Sequence, residues 1–214
     1  MKASGVATNI EAIHARFSRL PHTERMASLC AMRGLEWWLR HRRPAVIAEI
    51  GAGPGALTTV IMGAIPPPTT VFLVEEDPVY RSLLDQYVSI PWWRTNKWDE
   101  WPEPWPWDPV ECLVVDGGDN RPQYYECLAA RALIFFEGRR REQRAVARRV
   151  LADAHRSTVE AEWKPRDRSK GYAVILCEPT WHERVWFAAV RTRERLLDGW
   201  ARVRGVPIGK RRPA

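Results

Sequence analysis

The stretch that most limits what this chain can fold into is Glu49-Ile-Gly-Ala-Gly-Pro-Gly55, set directly after the apolar run Ala45-Val-Ile-Ala48 and directly before Ala56-Leu-Thr-Thr-Val-Ile61. A β-branched run that ends in a glycine-rich turn and opens a helix brings backbone amides and a helix N-terminus close to a ligand that larger side chains would exclude. The pattern predicts an α/β domain that holds a nucleotide-like cofactor at this turn.

Glycine spacing alone leaves the cofactor open. Gly51, Gly53 and Ala56 also satisfy the dinucleotide pattern G-x-G-x-x-A, and Glu75 follows at a suitable distance. Glu49 discriminates, because a carboxylate at the carboxyl end of a strand accepts a hydrogen bond or pairs with a cation and sits poorly beside a pyrophosphate. A cationic ligand is favoured over a dianionic one.

These residues resemble the first motif of class I S-adenosylmethionine-dependent methyltransferases, an acid, one residue, then G-x-G-x-G. The resemblance implies S-adenosylmethionine as cofactor, with Gly51, Ala52, Gly53 and Gly55 around its methionine part and ribose and Glu49 near its ammonium group. It also implies that the acid after the second strand holds the ribose hydroxyls, since a carboxylate accepts two hydrogen bonds from a diol. Glu75, in Val74-Glu-Glu-Asp-Pro78, occupies that register, with Glu76 as the alternative. Asp99 falls where such enzymes place an acid near the adenine amine, and Trp98 or Trp101 offers a face for the purine to stack on.

The order of elements agrees with that family. Helices are expected over Thr23 to Arg43 and from Gly55 to Ala64, strands over Val46 to Ile50, Thr70 to Val74 and Val110 to Val115, and a helix from Pro78 to about Tyr87. A helix from about Pro122 to Ala130, a strand over Ala132 to Phe136 and a basic helix to Ala152 follow. Arg156 to Trp163 and Tyr172 to Cys177 read as strands whose connection is short enough for an antiparallel pair. The fold class expected is thus Rossmann-like and doubly wound, a mostly parallel sheet with a C-terminal antiparallel strand and helices on both faces.

At 214 residues the chain fits one such domain. We divide it into an N-terminal helical segment (1–44) packed on the core, a methyltransferase-like domain (45–200) and a basic tail (201–214). No apolar run reaches membrane-spanning length, and Met1 to Ile10 lack a signal-peptide centre, so a cytoplasmic protein with no membrane partner is expected. Cys30, Cys112, Cys127 and Cys177 are scattered and read as reduced core thiols.

The net charge of +7 comes largely from three clusters, around Arg40 to Arg43, Arg139 to Arg144 and Lys210 to Arg212. A solvated helix face and a loose tail account for most of it, so nucleic acid is a disfavoured partner. Glu49 to Thr59 does resemble rRNA adenine dimethylases. Those enzymes follow their fourth strand with Asn or Asp, Pro-Pro or Leu-Pro, and an aromatic that stacks on a flipped base. Here the chain reads Asp116-Gly-Gly-Asp119.

Asp116 ends the fourth strand, facing the crevice where open α/β sheets bind their ligands, and with Asp119 and Glu137 it forms the candidate catalytic set. The D-G-x-D form loosely resembles small-molecule O-methyltransferases that bind a divalent metal at such acids. Those carry Asp-Asn after the next strand where this chain has Glu137-Gly138, and no metal site is assigned. The reading is methyl transfer to a small-molecule acceptor, with oxygen the candidate accepting atom. An RNA methyltransferase, a non-catalytic methyltransferase-like module and a nicotinamide oxidoreductase are the alternatives. Ile90 to Pro109, with six tryptophans and five prolines, reads as a loop from which at least one ring faces the ligand crevice.

Overall fold

The computed structural model describes residues 9–21, 26–65, 69–89, 95–138, 140–163 and 170–203, with side chains to residue 192. A seven-stranded sheet carries the fold in the order β3-β2-β1-β4-β5-β7-β6. Its strands are β1 (Val46–Ile50), β2 (Thr70–Val74), β3 (Thr95–Trp98), β4 (Val110–Val115), β5 (Leu128–Glu137), β6 (Thr158–Trp163) and β7 (Tyr172–Cys177). The first five run parallel; β7 lies antiparallel to both β5 and β6. The helices are α1 (Ile10–Phe17), α2 (Leu29–Arg42), α3 (Ala56–Ala64), α4 (Pro78–Tyr87), α5 (Gln123–Glu126), α6 (Arg141–Asp153) and α7 (Trp181–Val203).

Both faces of the sheet are covered, so its central strands need apolar residues on each side of the pleat. One face packs Ile47, Leu73, Val114 and Phe135 against Phe17, Leu35, Leu39 and Ile61 of α1, α2 and α3. The other packs Phe72, Val115 and Phe136 against Tyr124, Tyr125, Ala147 and Leu151 of α5 and α6.

Boundaries differ from expectation where a side chain outweighs pattern. Helix α2 starts at Leu29, because the Ser28 hydroxyl accepts from the Ala31 amide at 3.2 Å; the expected Thr23 cap lies outside the described residues. Helix α5 stops at Glu126, and the chain that looked helical to Ala130 already belongs to β5. Burial explains this: Leu128 pairs with Val110 at the start of the ladder and is needed in the core.

The described tryptophans of the Trp-Pro segment serve the second core face. Trp107 and Trp105 pack on Phe72 at centroid distances of 4.6 and 4.9 Å, Trp101 on Trp105 at 4.7 Å and Trp98 on Trp107 at 5.0 Å. Aromatic area here replaces the helix that five prolines forbid. The expectation that a ring from this segment faces the crevice finds no support in these four; Trp92 and Trp93 lie outside the described residues.

Candidate active site

Parallel strands deliver their carboxyl ends to one edge of the sheet, and there the chain concentrates acids. Glu49 sits one residue before the end of β1, Glu75 just after β2, Asp116 just after β4 and Glu137 at the end of β5. The turns after β1 and β4 touch. A Cβ on Gly51 would come within 2.4 Å of Gly117 Cα, and one on Gly55 within 2.7 Å of both Val88 and Leu84 side chains. Those two glycines are required by packing. Gly53 differs: with φ of 56°, its missing Cβ would meet nothing closer than 4.0 Å. It is the glycine whose absent side chain leaves open space for a ligand.

Glu49 is fully buried and accepts from the Thr58 hydroxyl at 2.6 Å, while its Oε1 accepts no hydrogen bond. Burial, against the Thr58 hydrogen bond and with the charges of Asp116 and Glu75 adding to it, pushes its carboxyl up to about 8. A buried acid with one open oxygen is ready to meet a cation or a donor. Glu75 is buried and accepts from the Gly53 amide at 2.6 Å through Oε2 and from the Asp77 amide at 2.9 Å through Oε1. It fixes the glycine turn relative to α4, and each of its oxygens keeps a further lone pair for a ligand hydroxyl. Ala52 is buried under this turn.

Glu76 and Asp99 lie on the rim. Glu76 pairs with Arg121 at 3.4 Å, and Asp99 is exposed and bound by Arg81, which holds its carboxyl below the usual range. Asp119 is also tied up, accepting from Arg121 Nε and the Tyr124 hydroxyl at 2.8 Å each. Partial burial opposes ionisation there, yet these hydrogen bonds win and depress its carboxyl. Its visible work is to pin the β4 turn to α5.

Asp116 and Glu137 face each other within hydrogen-bonding reach; burial raises both carboxyls, the Glu137 charge raises Asp116 further while the hydrogen bond with Asp116 lowers Glu137, and Arg140 and Lys170 oppose both shifts. Glu137 also receives the Ser28 amide at the start of α2. Asp116 Oδ1 and Glu137 Oε1 are buried and accept no hydrogen bond.

Sequence reading missed Arg140, counting it among surface charges. The residue precedes α6 in a left-handed conformation, φ 33°, which a non-glycine residue holds only against strain. Its Nε donates to the Glu137 carbonyl at 3.1 Å and its Nη2 to the Asp116 carbonyl, leaving the guanidinium 3.5 Å from Asp116 Oδ1 and 3.9 Å from Glu137 Oε2. No sequence signal marks this; only the parallel β4–β5 pairing brings the two acids to one cation.

The same geometry decides the fit of a divalent ion. Such an ion needs about six oxygen ligands. Here a guanidinium occupies the cationic position beside the two acids, burial biases both carboxyls toward their neutral form, and Gly138 offers no side-chain ligand. These residues do not fit a divalent metal as they stand.

No protein-family model matches the sequence, and no curated protein matches it. Among solved structures the chain superposes on the O-methyltransferase from Bacillus cereus in complex with SAH, at 14% identity and a TM-score of 0.60 over 79% of this chain and 90% of that one. It also matches the O-methyltransferase TomG from Streptomyces achromogenes in complex with SAM (16% identity, TM-score 0.54, 79% and 88% of the two chains). The SAH-bound Podospora anserina methyltransferase PaMTH1 is similar at 16% identity and a TM-score of 0.54, over 79% and 87%. The fold is that of the class I methyltransferases. Within it, the glycine turn, Glu49, Glu75, Asp116 and Glu137 share the crevice edge, with Glu76, Asp99 and Asp119 in exposed ion pairs around it. No helix among the described residues is long and apolar enough to cross a membrane.

Proposed function

We propose that this chain is an S-adenosylmethionine-dependent methyltransferase that places a methyl group on a hydroxyl oxygen of a small-molecule acceptor. The observation that carries the reading is the buried Glu49 carboxyl with an open oxygen at the carboxyl edge of β1, in the strand that leads into the Gly53 turn, where a Cβ would meet nothing closer than 4.0 Å. A cationic amino-acid ligand satisfies that oxygen; a pyrophosphate would be repelled by it. Glu75 suits the ribose diol, its two oxygens already aligned by backbone amides.

The cofactor, when bound, supplies an activated methyl on a sulfonium. The chain's task is then orientation and removal of one proton. Glu49 and Glu75 would hold the cofactor, whose methyl would pass to the acceptor oxygen while sulfur kept the electron pair of the broken bond. The acceptor's proton goes to the Asp116–Glu137 pair. Burial raises both carboxyls above the ordinary acid range, which makes either, once ionised, a stronger base than an exposed carboxylate. Arg140 acts as a positioning residue, holding both carboxyls in place while limiting their mutual repulsion.

The RNA methyltransferase alternative draws on the basic α6. Arg140 is turned into the crevice, Arg144 binds Glu160 and Glu162, and Arg148 donates to Glu160 at 2.7 Å, so these three charges are answered within the chain. That supports a small-molecule acceptor over a phosphate backbone.

Calorimetry with S-adenosylmethionine, S-adenosylhomocysteine and NAD tests the cofactor. We expect both sulfur compounds to bind and NAD not to; NAD binding alone overturns the assignment. Labelled-methyl transfer to a panel of phenols and catechols tests the acceptor. Cofactor binding with no transfer to any hydroxyl, amine or thiol acceptor would favour the non-catalytic module.

A further inference from the structure

A cavity of about 700 Å³ lies at the opposite edge of the sheet from the crevice, where the parallel strands begin. A strand of five or six residues separates the two, roughly 15–20 Å. The last turns of α2 contribute Trp37, Trp38, His41 and Arg42, the first turns of α7 contribute Glu183 and Trp186, and the start of β5 contributes Arg131. Its volume is in the range of small-molecule sites.

The cavity has an aromatic wall. Trp37 lies parallel to Trp186, 14° between planes and 5.2 Å between centroids, and parallel to His41, 8° and 5.1 Å. These rings are not shut in the core: Trp37 is 46% and Trp186 37% exposed, and Trp181 and Val185 extend the same apolar surface along α7. Exposed apolar side chains gathered around a concavity mark a binding surface more often than a scattered few do.

The polar groups here have an excess of donors. Glu183 accepts from the Thr180 amide at 2.7 Å and its hydroxyl at 3.0 Å, which caps α7, and also faces Arg42 Nε at 3.0 Å, Arg131 Nη2 at 3.7 Å and His41 Nε2 at 3.9 Å. Glu111, the other acid on the wall, accepts the Ala45 amide at 2.7 Å. Against these engaged acceptors, Arg42 Nη2 and Trp38 Nε1 are buried with no acceptor at all. Trp38 is 1% exposed, so its N–H is cut off from water as well as from any acceptor.

We propose that this amino-edge cavity is a second ligand site, for a small planar aromatic carboxylate. The ring lies along Trp37 and Trp186. The carboxylate meets the exposed Arg131 first and reaches Arg42 and the Trp38 N–H as the aromatic stack parts around the ring. A cation is a poor occupant, because two guanidiniums face the space and the tryptophans stand side by side instead of enclosing a common point. The inference does not rest on methyl transfer.

The test is ligand-observed NMR with 2-naphthoate, compared with 2-naphthylmethylammonium, on protein with and without saturating S-adenosylhomocysteine. Naphthoate is expected to bind equally in both, the ammonium not to bind, and Trp186→Ala and Arg131→Gln each to weaken naphthoate by about tenfold while circular dichroism and homocysteine-product binding stay unchanged. Both substituted side chains are exposed, which keeps the fold. No naphthoate binding, equal binding of the ammonium, displacement by S-adenosylhomocysteine, or insensitivity to both variants overturns the proposal. Failure of S-adenosylhomocysteine to bind at all would instead count against the methyltransferase reading and leave the naphthoate arm readable.

Discussion

The two edges of the sheet carry opposite unmet demands. At the carboxyl edge the buried groups lacking partners are mainly acid oxygens, on Glu49, Asp116 and Glu137, with one donor, the Trp98 N–H at the end of β3; at the amino edge they are N–H donors, on Trp38 and Arg42. One set of parallel strands therefore separates a site suited to a cation from one suited to an anion. The difference follows from connectivity. Acids that end strands converge wherever the strands' carboxyl ends converge, whereas the amino edge is built from helix ends, α2 finishing in Arg40, His41 and Arg42 because cations favour a helix C-terminus.

The sharpest way to break this comparison is at the glycines. Gly53→Val should lower S-adenosylhomocysteine affinity by about a hundredfold or more, since it fills the ligand's space, and should leave naphthoate binding at the other edge alone. Gly51→Val should instead lower the melting temperature, its Cβ colliding with Gly117. If Gly53→Val binds the product normally, the crevice does not use this turn.

Next in size is a pH effect at Glu49. Its carboxyl lies near 8 in the native protein and near 4.5 unfolded, so between these values the native state holds a proton that the unfolded state lacks. Stability from this group is full below about 4.5 and falls as pH rises toward 8. A cationic ligand that needs the ionised form binds more tightly over the same rise, by at most about tenfold per pH unit. Glu49→Gln should flatten the pH dependence of S-adenosylhomocysteine affinity and weaken it by about tenfold at pH 8, and should lessen the loss of stability with pH. Parallel pH profiles in the two proteins would remove Glu49 from the site.

What could be foreseen from sequence divides along the same line. From Ala45 to Pro78 the elements are local: a strand, a turn that demands glycine and a helix all signal within a few residues, and both Glu49 and Glu75 were legible there. Asp116 and Glu137 were visible as strand-end acids. Arg140 and Arg42 were not, since each looked like one charge in a basic run, and what distinguishes them is a partner elsewhere in the chain, Asp116 in one case and Glu183 in the other. The roles of the glycines were only half legible: three in a row suggested three ligand contacts, but Gly51 and Gly55 answer to Gly117, Val88 and Leu84.

A smaller change should come from removing the cation between the crevice acids. Arg140→Ala takes away the charge 3.5 Å from Asp116 Oδ1 and leaves two buried acids to repel each other. Both carboxyls, which Arg140 now lowers, should ionise at higher pH, moving the rise of the activity profile upward, and Mn²⁺ read by electron paramagnetic resonance should bind the variant and not the parent. Stoichiometric Mn²⁺ binding to the unsubstituted protein, lost in Asp116→Asn, would overturn the view that the guanidinium stands where a metal would.

The smallest effect is expected at a charge belonging to neither edge. Arg148 is half exposed and donates to Glu160, an acid that Arg144 also engages. An exposed ion pair contributes about 0–1 kcal/mol, and Glu160 keeps its second partner, so Arg148→Ala should change stability by less than about 1 kcal/mol in chemical denaturation. If α6 answered its charge with nucleic-acid phosphates instead, the same variant would reduce the salt slope of RNA binding by about one. An unchanged slope alongside that small stability change is the result expected of a helix whose basic face is spent on the chain's own β6.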